Sequence, residues 1–357
     1  MKTFLSLTVL SVLLLISSQS FSGNPDRAGQ AGATELLINP WAKSSGWNGA
    51  NIAGITGIES ERFNPAGIIG VPNTELVFSR TTWLRGTDIF INTFGLVQKI
   101  GKEKTNAIGL SIMSFKFGDI PITTVDQPDG GLGTYSPQFV NIGIVYAHMF
   151  STRIRTGFTL RIISEAIPDA SAKGVAIDAG IQYITDISGN DEDRTKFGIS
   201  LRNVGTPMIF NGDGLTRRAT FEGNSYSLSV NTKSASFELP TLINIGISQD
   251  FFVDRTTKNH RITMAGTFVS NSFSNDQYNV GLEYGFKQYL MLRAGFMFEK
   301  NILDKENRVN VYTGPAAGFS LCLPFGKEKN KSFGVDYSYR ATDYFGGTHC
   351  FGARLVL

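Results

Sequence analysis

From residue 75 onward, apolar and polar residues alternate with a period of two through most of this chain. Tyr278, Val280, Leu282, Tyr284 and Phe286 fall on one side of an extended segment, and Gln277, Asn279, Gly281, Glu283 and Gly285 fall on the other. Ile243, Ile245 and Ile247 likewise oppose Asn244, Gly246 and Ser248. Leu292, Ala294, Phe296 and Phe298 oppose Arg293, Gly295, Met297 and Glu299. This is the strand period. It predicts fourteen strands, over 75–82, 88–100, 105–116, 138–150, 153–166, 173–187, 195–205, 238–250, 260–271, 276–286, 289–300, 314–325, 331–341 and 347–357. Most are near the ~9–11 residues with which a tilted strand crosses a bilayer. The final one sets Phe351, Ala353, Leu355 and Leu357 against Cys350, Gly352, Arg354 and Val356.

Alternation alone fits a soluble sandwich as well as a wall in lipid, and the connections separate the two. The long ones, 117–137, 206–237 and 301–313, are the third, seventh and eleventh, all odd. The even connections, such as 101–104, 151–152 and 287–288, are shorter. In an outer-membrane barrel with both ends in the periplasm, periplasmic turns are short and external loops long. The expected fold class is therefore all-β: a transmembrane antiparallel β-barrel of 14 strands in the bacterial cell outer membrane. Pro240, Pro315 and Pro324 fall near strand ends, where a missing N–H is tolerated.

Composition agrees with a barrel. Charged residues make up 18% of the chain, below the roughly 25% of soluble domains. There are 27 phenylalanines and 39 glycines, which suit an aromatic outer face and tight bends. The net charge of +3 is too small to argue for nucleic acid. Residues 1–22 read as a signal peptide, with Lys2, an apolar run from Leu5 to Ile16, and small residues at Ser18, Ser20 and Ser22. Residues 23–74 form a separate segment, and 75–357 the barrel. Cys322 and Cys350 fall on strands separated by one other, too far apart for a disulfide, and read as free thiols.

The inward faces offer candidate lumen charges at Asp178, Arg202, Glu283, Arg293, Asp336, Arg340 and Arg354. The turn at 287–288 would set Glu283 opposite Arg293, and the sixth connection could set Asp178 against Arg202. Ordinary packing inside the lumen is the expected role. The three histidines, His148, His260 and His349, fall far apart in this scheme. No catalytic, cofactor-binding or metal site is expected, and no enzyme.

Residues 23–74 do not read as membrane strands. A barrel this wide leaves a lumen that side chains alone do not fill, so the segment is expected to fold inward as a hatch or plug. A periplasmic tail, or an extra edge strand over 50–58, are the alternatives. The run Ala42–Ala50 (AKSSGWNGA) and the tetrad Asn64, Pro65, Ala66, Gly67 resemble the N-terminal region of the PorV/PorQ family, which belongs to the FadL-like fourteen-stranded barrels. The stretch Trp41–Ser45 departs from the arginine-containing one common in that family. The resemblance implies a non-catalytic component of the type IX secretion system of Bacteroidota. Its implied partners are outer-membrane lipid, a large translocon subunit and exported cargo proteins. The alternative it implies is a FadL-like channel taking up hydrophobic small molecules.

Overall fold

Period-two alternation lets one face of each strand meet hydrocarbon while the other meets packed protein, and closing the sheet removes unpaired edges. The computed structural model describes residues 23–186, 194–220, 226–254, 257–325 and 331–357, so the signal-like residues 1–22 lie outside it. The described strands are β1 (Thr74–Trp83), β2 (Ile89–Ile100), β3 (Asn106–Lys116), β4 (Ile120–Pro121), β5 (Thr134–Tyr135), β6 (Gln138–Met149), β7 (Ile154–Ile167), β8 (Ala170–Thr185) and β9 (Thr195–Gly205). They continue with β10 (Thr216–Thr220), β11 (Ser227–Asn231), β12 (Leu242–Phe252), β13 (His260–Asn271), β14 (Gln277–Phe286), β15 (Leu290–Glu299), β16 (Tyr312–Pro324), β17 (Ser332–Thr342) and β18 (Thr348–Val356).

Fourteen of them close an antiparallel barrel in the order β1-β2-β3-β6-β7-β8-β9-β12-β13-β14-β15-β16-β17-β18, with β18 paired back to β1. Thr74 and Leu357 exchange backbone hydrogen bonds at 3.1 and 2.9 Å, so both ends of the barrel chain lie at one rim. The long connections that follow β3, β9 and β15 leave from and return to the opposite rim. Two of them carry small hairpins, β4–β5 and β10–β11, that alternation did not reveal. The outward positions are apolar and open, with Ile199 57%, Ile245 49% and Phe351 58% exposed. Inward neighbours such as Asn244 and Asp336 are buried.

Strand bounds differ from expectation most at 238–250. The strand starts at Leu242 instead, because Pro240 brings no N–H and its carbonyl accepts from Asn203 Nδ2 at 2.9 Å. Ahead of it, the Glu238 carbonyl accepts from Gly32 N at 3.0 Å, which ties this connection to the N-terminal segment. Cys322 and Cys350 are free thiols.

The N-terminal segment contains one helical turn, Ala42–Ser45, and 3₁₀ turns at Thr34–Leu37, Ile58–Arg62 and Pro65–Gly70. It touches inward faces right around the wall. Gly157 of β7 lies so close to Pro65 that a Cβ there would sit 2.3 Å from the Pro65 carbonyl carbon. On the far side, Gly295 of β15 would bring a Cβ to 2.5 Å from the Trp47 carbonyl carbon. Ile58 N donates to Glu75 of β1 at 2.7 Å, and Thr267 Oγ1 of β13 donates to the Ala50 carbonyl at 2.6 Å. A segment that reaches all these inward faces occupies the lumen. Trp41 and Trp47 are buried there, and no strand forms over 50–58.

Candidate channel lumen

The tetrad Asn64–Gly67 is built to turn the chain against the wall. Asn64 caps the 3₁₀ turn by accepting from Ala66 N at 3.3 Å, and Pro65 opens it with a preset φ. The Asn64 amide also donates to the Ile181 carbonyl of β8 at 2.9 Å. A Cβ on Gly67 would sit 2.3 Å from the Ile55 carbonyl oxygen, so the fourth position admits no side chain without displacement. All four residues are buried.

Two charge networks hold the segment. On one side, Arg161 Nη2 of β7 lies 2.7 Å from Glu61 Oε1 of the segment and donates to Asp178 Oδ2 of β8 at 2.8 Å. Asp178 Oδ1 accepts from Asn203 N at 2.6 Å. The expected Asp178–Arg202 pairing across β8 and β9 does not form. The register shifts between Ile177 and Ala179, and Asn203 adopts a left-handed φ of 59°, a bulge that turns its N–H toward Asp178. Arg202 instead stacks on Phe63 at 5.4 Å and points toward the Leu36 carbonyl. Arg62 donates to the carbonyls of Ile38 and Glu35 at 2.9 and 2.7 Å, and burial pulls its guanidinium down to about 9.

On the other side, a polar ladder crosses six strands. Glu283 pairs with Arg261, and Arg293 Nε donates to its second oxygen at 2.6 Å. Arg293 Nη1 donates to Ser320 Oγ at 2.6 Å, and Ser320 donates to Asp336. Arg354 Nη2 donates to both Asp336 oxygens at 2.6 Å. The segment meets this ladder through Lys43 and Glu59. Burial pushes the Lys43 ammonium down, and burial with the nearby Asp336 charge pushes the Glu59 carboxyl up. Arg340 stands apart. It lies over the Tyr312 ring at 3.5 Å and makes no ion pair with any described residue.

Sequence reading missed Arg161, Arg261, Ser320, Glu61 and Lys43. Arg161 and Arg261 carry the same signal as the others, a lone charge on the inward side of a strand. Glu61 and Lys43 lie where no periodicity assigns a face. The histidines stay apart: His148 meets Asn106, His260 meets Tyr284 and His349 meets Tyr337. Among the described residues, no cluster of His, Cys, Asp and Glu could hold a metal ion.

Among the described residues, two cavities border the segment. The outer one, toward the long connections, measures about 370 Å³ and is lined by Phe63, Phe273, Tyr312 and Met297 together with Asn48, Asn244, Arg202 and Arg340. The inner one measures about 100 Å³ and is lined by Lys43, Trp47, Asn51, Glu59 and Glu283, among others. The stretch Trp47–Gly54 contributes to both. Beside the outer cavity the wall is irregular. Pairing of β15 with β16 ends at Phe296–Pro315, short of Glu299, and the β16–β17 register shifts between Tyr312 and Ala316. Gly314, with φ 112°, lies in this irregularity, and its carbonyl accepts from Asn48 Nδ2 at 2.5 Å.

No family model matches the chain, and no curated protein matches it. Solved structures do. The toluene transporter TbuX of Ralstonia pickettii is similar at 14% identity and a TM-score of 0.50, over 89% of this chain and 97% of that one. The toluene transporter TodX of Pseudomonas putida is similar at 11% identity and a TM-score of 0.53, over 89% and 97%. A FadL homologue of Pseudomonas aeruginosa is similar at 10% identity and a TM-score of 0.48, over 88% and 95%. The fold shared with the two toluene transporters is a closed β-barrel. A closed wall with a continuous apolar outer belt belongs in the bacterial outer membrane.

Proposed function

We propose that this barrel is a passive channel for small hydrophobic compounds, gated by the segment inside it. The observation that carries the reading is the outer cavity. It opens beneath the long connections, is walled largely by apolar and aromatic side chains, and ends on the Trp47–Gly54 stretch that borders the inner cavity. A solute entering from outside would leave water for an apolar site, which is favourable in proportion to the area it buries. Onward passage needs either a shift of Trp47–Gly54 or an exit through the wall. The interrupted β15–β16 ladder lies beside the cavity and is where fewest backbone hydrogen bonds oppose such an exit. The fold shared with two toluene transporters supports the reading. The polar ladder and the buried Arg161 triad then act as fixed anchors, so that movement is confined to the part of the segment between them.

The test is uptake. Expressed in an outer membrane without a comparable channel, the chain should raise the initial rate of labelled toluene uptake several-fold, and an unchanged rate overturns the proposal. The type IX secretion role implied by the PorV/PorQ resemblance has its own signature. If deletion of the gene abolished surface delivery of exported proteins and left hydrocarbon uptake intact, that role, with translocon and cargo as partners, would replace the channel.

A further inference from the structure

Among the described residues, the outward positions of the wall strands carry charge only at Arg80 of β1, Lys116 of β3 and Lys173 of β8. All are cations, and each sits in the half of its strand nearer the long connections. Every acidic side chain on these strands, from Glu75 of β1 to Asp336 of β17, faces inward and is buried. Lys173 lies farther round the wall, but Arg80 and Lys116 come together. Phe90 of β2 is paired directly with Lys116, and the Arg80 guanidinium leans over the Phe90 ring, 4.5 Å from its centroid. The lean carries the charge toward the outer rim, because Phe90 is next to the end of β2 whereas Arg80 itself is paired with Asn92. Asn92 is paired in turn with Ser114 of β3, and Lys116 with Gln138 of β6, all on the outward face. The Arg80 and Lys116 side chains are both exposed. Neither cationic head makes a hydrogen bond or ion pair with a described residue, Asp88 and Asp119 in the connections after β1 and β3 included. One outward step nearer the middle of the bilayer, Phe78, Phe94 and Ile112 stand side by side, 49%, 42% and 38% exposed.

We propose that this patch binds a lipid of the outer leaflet whose headgroup carries a phosphate monoester, held between Arg80 and Lys116 with its acyl chains on Phe78, Phe94 and Ile112. The inference concerns the outside of the wall and is independent of what the lumen conducts. A cation facing hydrocarbon is costly, and the cost falls toward the headgroups. Two exposed cations with no carboxylate beside them, set directly above an apolar shelf, match an anion that the membrane itself supplies. A phosphate monoester carries about 1.5–2 negative charges near neutral pH and three acceptor oxygens. Two cations balance that charge, and the Asn92 amide and Ser114 hydroxyl can donate to oxygens the cations leave open. A phosphodiester brings a single charge and fewer free oxygens. Phosphatidylethanolamine adds an ammonium that the same cations repel.

The experiment titrates phosphatidic acid, phosphatidylglycerol and phosphatidylethanolamine with identical acyl chains into the full-length protein in detergent micelles, and native mass spectrometry reads the bound lipid. The wild type should hold phosphatidic acid about ten-fold more tightly than phosphatidylglycerol, the effect of one added charge-assisted hydrogen bond. Arg80→Gln combined with Lys116→Gln should bring that ratio toward one and leave phosphatidylethanolamine binding unchanged. Heat-modifiable migration on gels shows that the variant barrel is folded, and Arg80→Gln alone is read in the same way if the double variant does not fold. Lys102→Gln combined with Lys104→Gln removes the same charge from a turn at the opposite rim and should leave the ratio as it is. Equal binding of phosphatidic acid and phosphatidylglycerol by the wild type overturns the inference. So does an unchanged ratio in the folded patch variant, or an equal loss in the Lys102 and Lys104 variant, which would assign the effect to net charge. Displacement of phosphatidic acid by an equal concentration of inorganic phosphate overturns it in favour of a site for the free anion.

Discussion

Arg161 on the barrel wall and Glu61 in the lumen segment form an ion pair at 2.7 Å, with side chains 2% and 1% exposed. Asp178 completes the triad from the next strand. Taking such charges out of water is expensive, and only mutual pairing makes it tolerable. Arg161→Met would leave two carboxylates buried side by side. It should destabilise the barrel by about 3–5 kcal/mol, read from urea unfolding in lipid vesicles. Glu61→Gln combined with Arg161→Met removes one of the stranded charges and should recover part of that loss. A single variant as stable as the wild type would mean that the triad contributes nothing to holding the segment.

Gly157 tests the packing of the segment in another way. A Cβ there meets Pro65 backbone at 2.3 Å, and backbone cannot swing aside as a flexible side chain can. Gly157→Ala should cost about 1–3 kcal/mol and loosen the Asn64–Gly67 turn from the wall. Limited trypsin digestion should then cut after the normally buried Arg62 faster than in the wild type. Gly266, whose nearest neighbour would lie 4.0 Å from a new Cβ, is the control, and Gly266→Ala should leave the cleavage rate unchanged. Equal rates in the two variants would place Arg62 cleavage under some other control than this contact.

The wall was legible because hydrocarbon on one side and packed protein on the other impose a strict period of two. Loop parity then distinguished a barrel from a stack of sheets. Charge pairing was legible only where a turn fixes register. The short 287–289 connection sets Glu283 opposite Arg293, whereas nothing local sets position 178 against 202. The bulge at Arg202–Asn203 depends on a left-handed backbone that many asparagines never adopt, and each inward carboxylate has two neighbouring strands to choose from. The Pro240 boundary failed for a similar reason, because apolar residues continued the pattern past a proline that ends pairing. The path of residues 23–74 had no period at all. Its turns answer to glycines on distant strands, so its position follows from the assembled wall and from no stretch of its own sequence.

Glu35 should make stability depend on pH. Burial, and then the adjacent Glu165 carboxyl, push its pKa from the ordinary 4.5 up to about 8. Between those values the folded chain holds a proton that the unfolded chain has released. Proton binding is greater in the folded state, so this group's contribution is fully present below about pH 4.5 and is lost as pH rises toward about 8. Glu35→Gln keeps the shape and removes the titration. It should flatten the decline, with its advantage over the wild type growing to a few kcal/mol, about 2–4, by the alkaline end. Melting temperatures at a series of pH values measure this, and parallel profiles for the two proteins would show that Glu35 is not held neutral.

Ile245 and Ile199 lie opposite each other on β12 and β9, 49% and 57% exposed, on the face assigned to lipid. Their immediate neighbours on the strands, Asn244 and Ser200, face inward and are buried. One step along either strand therefore exchanges hydrocarbon for packed protein. Ile245→Arg should cost about 2–4 kcal/mol if the position lies near the bilayer midplane, and about 0–1 near a rim. The same substitution at Phe251, close to the rim that carries the chain termini and 47% exposed, should fall in the smaller range. Unfolding in vesicles of matched thickness reads both. If the ranking were reversed, the membrane would cross the barrel at a different height, and if neither position responded, the apolar belt would not face lipid at all.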